Sequence, residues 1–435
     1  MANFTARSIA HRVLQRVSEG AYATLALSGD LNRLPDARDR SFATELVYGT
    51  LRMRRRIDVA LAAGAPRGLD LDEQTMNVLR ISAYEILFLR TPAHAAVNEA
   101  VETFKRLRNA RLAGFANALL RRLAREGEPP LPDDSALALA IAESAPDWLV
   151  ALVTARFSVE EAEQFLAALN RPAPLWLRTN CLRTSSGALA AELQALGFGI
   201  DRSPLVEEAL QVSAGENIFR SDPFVAGKFV AQDLAAQLAA RLLDPQPGEV
   251  ILDACAGVGG KATHLAELSD DRARIDAADH SERKLELCAD TAHRLGLSSL
   301  RTTVCDVTQA GAPIGESYHR ILLDAPCSGL GVLRRHPEAK WRPFDNASLV
   351  ATQKNMLNAL APRVRPGGVL VYSVCTFTDE EGPRQIAAFL QRHPEFSMER
   401  LTESFAGLGD ESGAIRTWPH RHDADAFYLV RLRKC

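Results

Sequence analysis

Cysteine is scarce in this chain: seven in 435 residues, an odd number, with no Cys-x-x-Cys pair. That excludes a disulfide-stapled scaffold. With no histidine and cysteine cluster at zinc spacing either, no metal is expected. No uncharged apolar run reaches the roughly eighteen residues a membrane helix needs. Met1 to Ala10 is polar and carries Arg7, without the apolar core of a secretory signal. Internal repeats and low-complexity tracts are missing as well. With 47% hydrophobic and 24% charged residues, the composition is that of an ordinary globular protein. A reduced, cytoplasmic protein of about two or three domains is expected.

The formal net charge is only −3, but it is unevenly spread. Residues 1–128 hold 20 Lys/Arg against 14 Asp/Glu, and the remainder holds 31 against 40. The basic clusters Arg52, Arg54, Arg55, Arg56 and Lys105, Arg106, Arg108, Arg111 lie in the first part. They read either as solvated helix faces or as a surface that attracts a polyanion.

Apolar spacing of three and four residues predicts helices over Ala6–Val17, Arg40–Tyr48, Gln74–Leu89, His94–Leu107 and Gly114–Arg125. Residues 1–128 therefore form a helical bundle domain. The stretch 129–145, opening Pro129-Pro-Leu-Pro-Asp133, reads as a linker. Residues 146–221 hold a helical stretch, Trp148 to Leu169, then a short β-α-β pattern, expected as a small α+β subdomain. From 222 to 435 strands and helices alternate. Strands are expected at Val250–Ala254, Arg274–Ala278, Thr302–Cys305, Arg320–Asp324, Gly368–Ser373 and Ala426–Leu432. That alternation implies a largely parallel sheet covered on both faces.

Ligands of such sheets lie at the carboxyl ends of the strands. Val250-Ile-Leu-Asp-Ala-Cys-Ala-Gly-Val-Gly-Gly-Lys261 runs from a strand into a glycine-rich turn and a helix. Cys255, Ala256, Gly257, Val258, Gly259, Gly260 and Lys261 are the candidate cofactor turn. Asp279, about 20 residues on, suits the ribose hydroxyls of an adenosine-containing ligand. Asp306 ends the third strand and has two readings, the adenine edge or a helix N-cap. Acidic strand ends favour a cationic ligand over a diphosphate, and S-adenosylmethionine fits. Cys327 and Cys375 also fall just past strand ends, the first beside Asp324. Free cysteine is commonly a small buried hydrophobe. Delivered to a ligand crevice, it is instead a candidate nucleophile.

The runs Asp253-Ala-Cys-Ala-Gly-Val-Gly-Gly-Lys261, Asp324-Ala-Pro-Cys-Ser-Gly-Leu-Gly-Val-Leu-Arg-Arg-His-Pro337 and Tyr372-Ser-Val-Cys-Thr-Phe377 resemble the motifs of the RNA 5-methylcytosine methyltransferases. Phe229-Val-Ala-Gln-Asp-Leu-Ala-Ala-Gln237 and Pro419-His-Arg-His-Asp-Ala-Asp-Ala-Phe-Tyr428 are similar to that family's preceding and closing segments. Val97 to Glu102 and Gly114 to Arg122 resemble the NusB-like RNA-binding domain of its bacterial subgroup acting on 16S ribosomal RNA. Some positions depart from the family pattern. Gly257-Val258 stands where Ala-Pro is common, Ala262 where Thr is, Ser-Gly-Leu-Gly after Cys327 where Ser-Ala-Thr-Gly is, and Ala426 where Gly is.

The resemblance implies a Rossmann-like class I methyltransferase domain, an all-α NusB-like N-terminal domain and a small α+β middle subdomain. It implies S-adenosylmethionine as methyl donor, with Asp324 joining the cofactor set. The partner is 16S ribosomal RNA, with no membrane or metal, and the chain is expected as a monomer. Cys375 is then the nucleophile that adds to cytosine C6, and Cys327 serves release of the product. Asp324 faces the N3/N4 edge as a proton-sharing carboxyl. Lys261 either orients Asp324 or holds the cofactor carboxylate. The target base must be flipped or unpaired. Arg334, Arg335, His336, Lys340 and Arg342 are candidates for flanking phosphates, and Trp341 reads as core or as a stacking platform. The rival readings are the same chemistry on transfer RNA, a non-catalytic RNA-binding factor, and a DNA cytosine methyltransferase, in which Cys327 would be the nucleophile.

Overall fold

A computed structural model describes residues 4–66, 68–107, 110–215, 217–400, 405 and 407–435. The chain forms two compact units. One comprises residues 1–172 with 333–344, the other 173–332 with 345–435.

The first unit is helical. Its described helices run over Ala6–Ser18, Ala23–Leu31, Ala37–Arg52, Arg54–Ala63, Glu73–Phe88, Ala93–Arg106 and Ala110–Glu126. Three more follow at Ser135–Ala142, Asp147–Thr154 and Val159–Leu169. Side-chain caps set the starts: Thr5 and Ser8 form a reciprocal capping box, and Asp36, Asp72, Asp134 and Ser158 accept from first-turn amides. The apolar faces converge on a core that includes Ile9, Val13, Leu46, Val47, Leu79 and Leu120. The helix Ser135–Ala142 lies within the proline-rich 129–145 stretch, and the expected Trp148–Leu169 helix is two, broken before the Ser158 cap.

Residues 333–344 belong to this helical unit although they follow the Cys327 motif in sequence. Lys340 is buried, and its ammonium donates to Arg52 O (3.0 Å), Ser144 O (3.1 Å) and Asn170 Oδ1 (3.0 Å). Burial, then the neighbouring Arg52, pushes its pKa down to about 7. Trp341 Nε1 donates to Leu51 O (2.7 Å), Arg342 to the carbonyls of Gly20 and Ala21, and buried Arg334 to Pro172 O. The phosphate role expected for Lys340 is thus overturned: its three N–H groups are satisfied inside the core. Arg334 is buried likewise, and half-buried Trp341 packs against Arg54 and Lys340.

The basic clusters are largely absorbed too. Arg52 is buried, Arg54 pairs with Glu73, Arg55 with Asp147 and Arg56 with Glu128. Lys105 pairs with Glu102 and Arg106 with Glu99. Arg108 lies outside the described residues.

The second unit holds two sheets. Strands β1 (Leu175–Thr179), β2 (Gly199–Arg202), β3 (Ala209–Ala214) and β4 (Phe229–Ala231) form an antiparallel sheet in the order β2-β3-β1-β4, with the helix Ser186–Ala195 packed on it. The larger sheet contains β5 (Val250–Asp253), β6 (Arg274–Asp279), β7 (Leu300–Val304), β8 (Tyr318–Asp324), β9 (Val364–Val374), β10 (Phe396–Met398), β11 (Ile415–Arg416) and β12 (Tyr428–Lys434). Its order is β10-β12-β9-β8-β5-β6-β7, with β11 beside β12. The pairs among β5 to β9 are parallel, and β12 runs antiparallel to β9. Strand order reverses between β5 and β8, which opens a ligand crevice at their carboxyl ends. The fold class stands as the sequence implied, but the helices Asp147–Thr154 and Val159–Leu169, expected in a 146–221 subdomain, cluster with the helical unit, and the small sheet takes β4 from beyond residue 221. The last strand starts at Tyr428 and not at Ala426, because Ala426 N–H is taken by Gly331 O and Phe427 N–H by Thr417 Oγ1.

Among the described residues no single helix is long and apolar enough to cross a membrane, and no group of three or more His, Cys, Asp or Glu could hold a metal.

Candidate functional site

β5 delivers Asp253 to the crevice floor and then turns through Cys255 to Gly259 into the helix Gly260–Leu268. Gly259 caps that helix at φ +89°, and a Cβ there would stand 2.5 Å from Cys288 Sγ, so only glycine fits. Asp279, at the end of β6, holds the turn from the next strand. Its Oδ2 accepts from Gly257 N–H (3.0 Å) and its Oδ1 from Ser281 N–H (2.9 Å). Asp306 accepts from Thr308 N–H (2.9 Å), Thr308 Oγ1 (2.7 Å) and Gln309 Nε2 (3.1 Å). The Thr308 hydroxyl and amide, with Gln309, hold its carboxyl below the usual range. It closes a turn and caps no helix.

A cavity of about 750 Å³ opens over these strand ends. Of the residues expected from sequence, Cys255, Gly257, Asp279, Asp306, Asp324, Cys327 and Cys375 line it, whereas Ala256, Val258, Gly259, Gly260 and Lys261 do not. Val258 points away from the core, 53% exposed. The walls also include His280, Lys284, Val307, Thr308, Thr352, Asn355 and Met356, none of which stood out in the sequence. They come from loops and from the helices Glu282–Leu295 and Ala347–Leu360, so only the fold brings them together.

The reactive end lies where β8 and β9 finish side by side. Lys261 Nζ donates to Asp324 Oδ2 (2.6 Å), and Ser373 Oγ donates to Asp324 Oδ1 (2.8 Å). Lys261 is thus an ion-pair partner of Asp324. Burial alone would lower the Lys261 pKa, but the charge of Asp324 and its hydrogen bond outweigh burial and leave the pKa raised. The ammonium also sits 5.4 Å from the centre of the Phe427 ring.

The thiols of Cys327 and Cys375 approach to 3.2 Å. The hydrogen bond that Cys375 S–H makes to Cys327, then burial, drives the Cys375 pKa well above that of an ordinary thiol, with Asp324 adding to the rise and Lys261 opposing it. Cys375 is therefore held as a neutral thiol. Asp253, fully buried beneath the site, has its pKa raised to about 7, by burial first, with Lys261 opposing and Asp324 adding.

Two supports of the site were not expected from sequence. Arg178 of β1 is fully buried and donates to Glu267, Thr263, Gln232 and Gly260 O, which pins the first turns of the helix Gly260–Leu268. Gly331 N–H donates to Cys375 O (3.0 Å), while Gly331 O accepts from Ala426 N–H (3.0 Å), so the Cys327 loop, the Cys375 loop and the closing segment meet at one glycine.

Family models match the whole architecture. "16S rRNA methyltransferase RsmB/F" matches residues 240–433, the NusB family residues 5–125, and the RsmF/B-like ferredoxin-like domain residues 145–218. Among curated proteins, the probable ribosomal RNA small subunit methyltransferase B of Bacillus subtilis is 34% identical over the full length of both chains. The ribosomal RNA small subunit methyltransferase B of Yersinia pseudotuberculosis is 32% identical over 99% of each. Among solved structures, PH0851 superposes with a TM-score of 0.85 at 27% identity over 99% of each chain. A methyltransferase homologue from Pyrococcus horikoshii gives a TM-score of 0.62 at 25% identity, covering 70% of this chain and all of its own.

Proposed function

Since the chain belongs to the 16S rRNA methyltransferase RsmB/F family, we propose that it methylates C5 of a cytosine in 16S ribosomal RNA through a covalent bond from Cys375 to C6. The observation that carries this reading is the pair of thiols 3.2 Å apart beside the Lys261–Asp324 ion pair. One thiol suffices for addition, and a second at that distance is the group that release requires.

The cavity suits S-adenosylmethionine as donor. Carboxylates at Asp279 and Asp306 and apolar walls at Val307 and Met356 match a cationic, adenosine-bearing ligand. A Cβ placed on Gly257 would meet nothing within 4 Å, so the space over that glycine belongs to the cavity. Bound there, the donor supplies an electrophilic sulfonium methyl group.

The protein's own residues handle the base. Cytosine C5 is a poor nucleophile until a sulfur adds at C6. As the S–C6 bond forms, the Cys375 thiol proton must leave and N3 must gain one. The Lys261–Asp324 pair is the relay beside that edge. C5 is then enamine-like and takes the methyl group. In release, Cys327 acts as its thiolate: it removes the C5 proton, which passes on to solvent, the C–H electrons make the C5–C6 double bond, and the C6–S electrons return to Cys375. N3 gives its proton back to the pair, and one proton leaves to solvent overall.

Covalent trapping tests the assignment. Full-length Cys327→Ser, incubated with 16S RNA and methyl donor, should accumulate a ribonuclease-sensitive protein–RNA band that survives denaturing electrophoresis. Cys375→Ser and the double variant should form none and transfer no methyl. A band that forms in Cys375→Ser and needs Cys327 would reverse the roles and overturn the reading. Bisulfite mapping of the RNA from the wild-type reaction should show a new 5-methylcytosine.

A further inference from the structure

The two thiols sit on different loops, and the sheet alone does not set their spacing, because β8 ends at Asp324 and β9 at Val374. Besides the Gly331 N–H to Cys375 O bond, the loops beyond that point are joined through Glu381. It lies in a Thr-Asp-Glu-Glu-Gly run that reads as solvated, yet it is fully buried. Its Oε1 accepts from Ser328 N–H (2.8 Å) and Gln353 Nε2 (3.1 Å). Its Oε2 accepts from Ser328 Oγ (2.6 Å) and Thr378 Oγ1 (2.9 Å). Because Ser328 gives its hydroxyl proton to Glu381, the Thr376 hydroxyl 2.8 Å away must be the donor to Ser328. Gln353 Nε2 also donates to Pro326 O (2.9 Å).

Both neighbours of Cys327 and the residue after Cys375 are thus tied to one carboxylate. Among the described residues no lysine or arginine pairs with Glu381. A buried carboxylate is costly unless its lone pairs are filled, and here five donors surround it, Asn346 Nδ2 (3.5 Å) being the fifth. A glutamine would occupy the same volume with less desolvation, but it would turn an NH₂ group toward donors. Packing alone gives no reason for the acid. Holding two loops in one geometry does.

We propose that Glu381 is a positioning residue that sets the separation of the Cys327 and Cys375 sulfurs by clamping both loops through Ser328. Its catalytic consequence rests on the methyl-transfer reading above, whereas the geometric claim does not.

Thiol closure measures the separation directly. The full-length protein is treated with a diazenedicarboxamide oxidant. The two thiols lose two protons and two electrons to form one S–S bond, and the diazene becomes a hydrazine. Cys327–Cys375 closure is followed by mass spectrometry of the linked peptides. Each rate is divided by the alkylation rate of the same thiols with iodoacetamide, which cancels changes in thiolate fraction. Closing the S–S bond requires the second sulfur to reach the first, so the ratio is sensitive to placement on the ångström scale.

Glu381→Gln should lower that ratio about tenfold or more, and Ser328→Ala should lower it in the same direction. Methyl transfer should lose kcat with KM for RNA little changed. A wild-type ratio in folded Glu381→Gln overturns the proposal. Should Glu381→Gln fail to fold, Ser328→Ala decides, since it leaves Glu381 bonded to Gln353 and Thr378, and a wild-type ratio there overturns it equally. A lowered ratio in variants of a wild type that methylates no cytosine would support the clamp and sink the methyl-transfer reading.

Discussion

Replacing Arg178 by methionine should be among the most destabilising single changes in the second unit. The guanidinium is fully buried, and each of its nitrogens has an acceptor. Nε and Nη2 bridge Glu267 at 2.9 Å each, Nη2 also reaches Thr263 Oγ1 (3.0 Å), and Nη1 reaches Gly260 O (2.6 Å) and Gln232. Methionine would leave the Glu267 carboxylate, only 3% exposed, without its cation. Breaking a buried pair in this way costs about 3–5 kcal/mol, and an orphaned Gly260 carbonyl adds about 1–3 kcal/mol. Burial already raises the Glu267 pKa against the opposing pull of Arg178, so the variant's carboxyl would be raised further. A raised carboxyl favours the folded state when protonated, so the stability it contributes is present at low pH and lost as pH rises. The Arg178→Met penalty should therefore be smaller at pH 5 than at pH 8. Adding Glu267→Leu removes the stranded charge and should recover most of the loss. Hydrogen exchange read by mass spectrometry on peptides covering 175–179 and 260–268 gives the local opening free energy without assuming that the whole chain unfolds in one step. A loss below about 1 kcal/mol, or no recovery in the double variant, would refute the claim that this pair holds the helix Gly260–Leu268.

The strand ends were legible because they follow from local pattern. Asp253, Asp279, Asp324 and Cys375 each lie within or just past a short apolar run bounded by turn residues, and the fold gathers all such ends on one edge. The motifs added which thiols to watch. What stayed hidden depends on partners distant in the chain. The helix Ala23–Leu31 carries Gly29 and no clear apolar stripe, so its face is set by packing. The helix Arg54–Ala63 opens with three arginines and reads as a charge cluster until Asp147 and Glu128 are seen to take two of them. Lys340 looks like a phosphate contact in an Arg-Arg-His-Pro-Glu-Ala-Lys run. Its acceptors, Arg52 O and Ser144 O, lie 288 and 196 residues away. Removing residues 1–128 would take Arg52 O from Lys340 and Leu51 O from Trp341, leaving Lys340 its bonds to Ser144 O and Asn170 Oδ1. Of the adjacent acids Glu380 and Glu381, one pairs with Arg384 at the surface and the other is the buried clamp, a difference that no spacing announces.

Two further outcomes follow from the geometry. A methyl group on Gly331 would stand 1.8 Å from Ala426 O and 2.8 Å from Cys375 O, both backbone atoms. Gly331→Ala should therefore displace the Cys375 loop and lower methyl transfer by about a hundredfold, the scale of a 1 Å misplacement. Calorimetric titration should show donor affinity close to wild type, and equal loss of donor binding would place the damage elsewhere. Asp253→Asn should stabilise the protein at alkaline pH. The folded-state pKa of Asp253 is raised to about 7, chiefly by burial, against about 3.9 in an unfolded chain. Folding therefore takes up a proton between those values: stability from this group is whole below about pH 4 and drains away as pH rises to about 7. Asparagine cannot ionise and escapes that loss. About three pH units at 1.36 kcal/mol each set an upper bound near 4 kcal/mol, which Lys261 reduces by pairing with whatever negative charge forms. The difference in melting temperature between variant and wild type should grow in the variant's favour from pH 5 to pH 8, and all other titrations cancel in that difference. If it instead moved toward the wild type over that range, Asp253 would be an ionised partner of Lys261, and the site would hold two carboxylates against one ammonium.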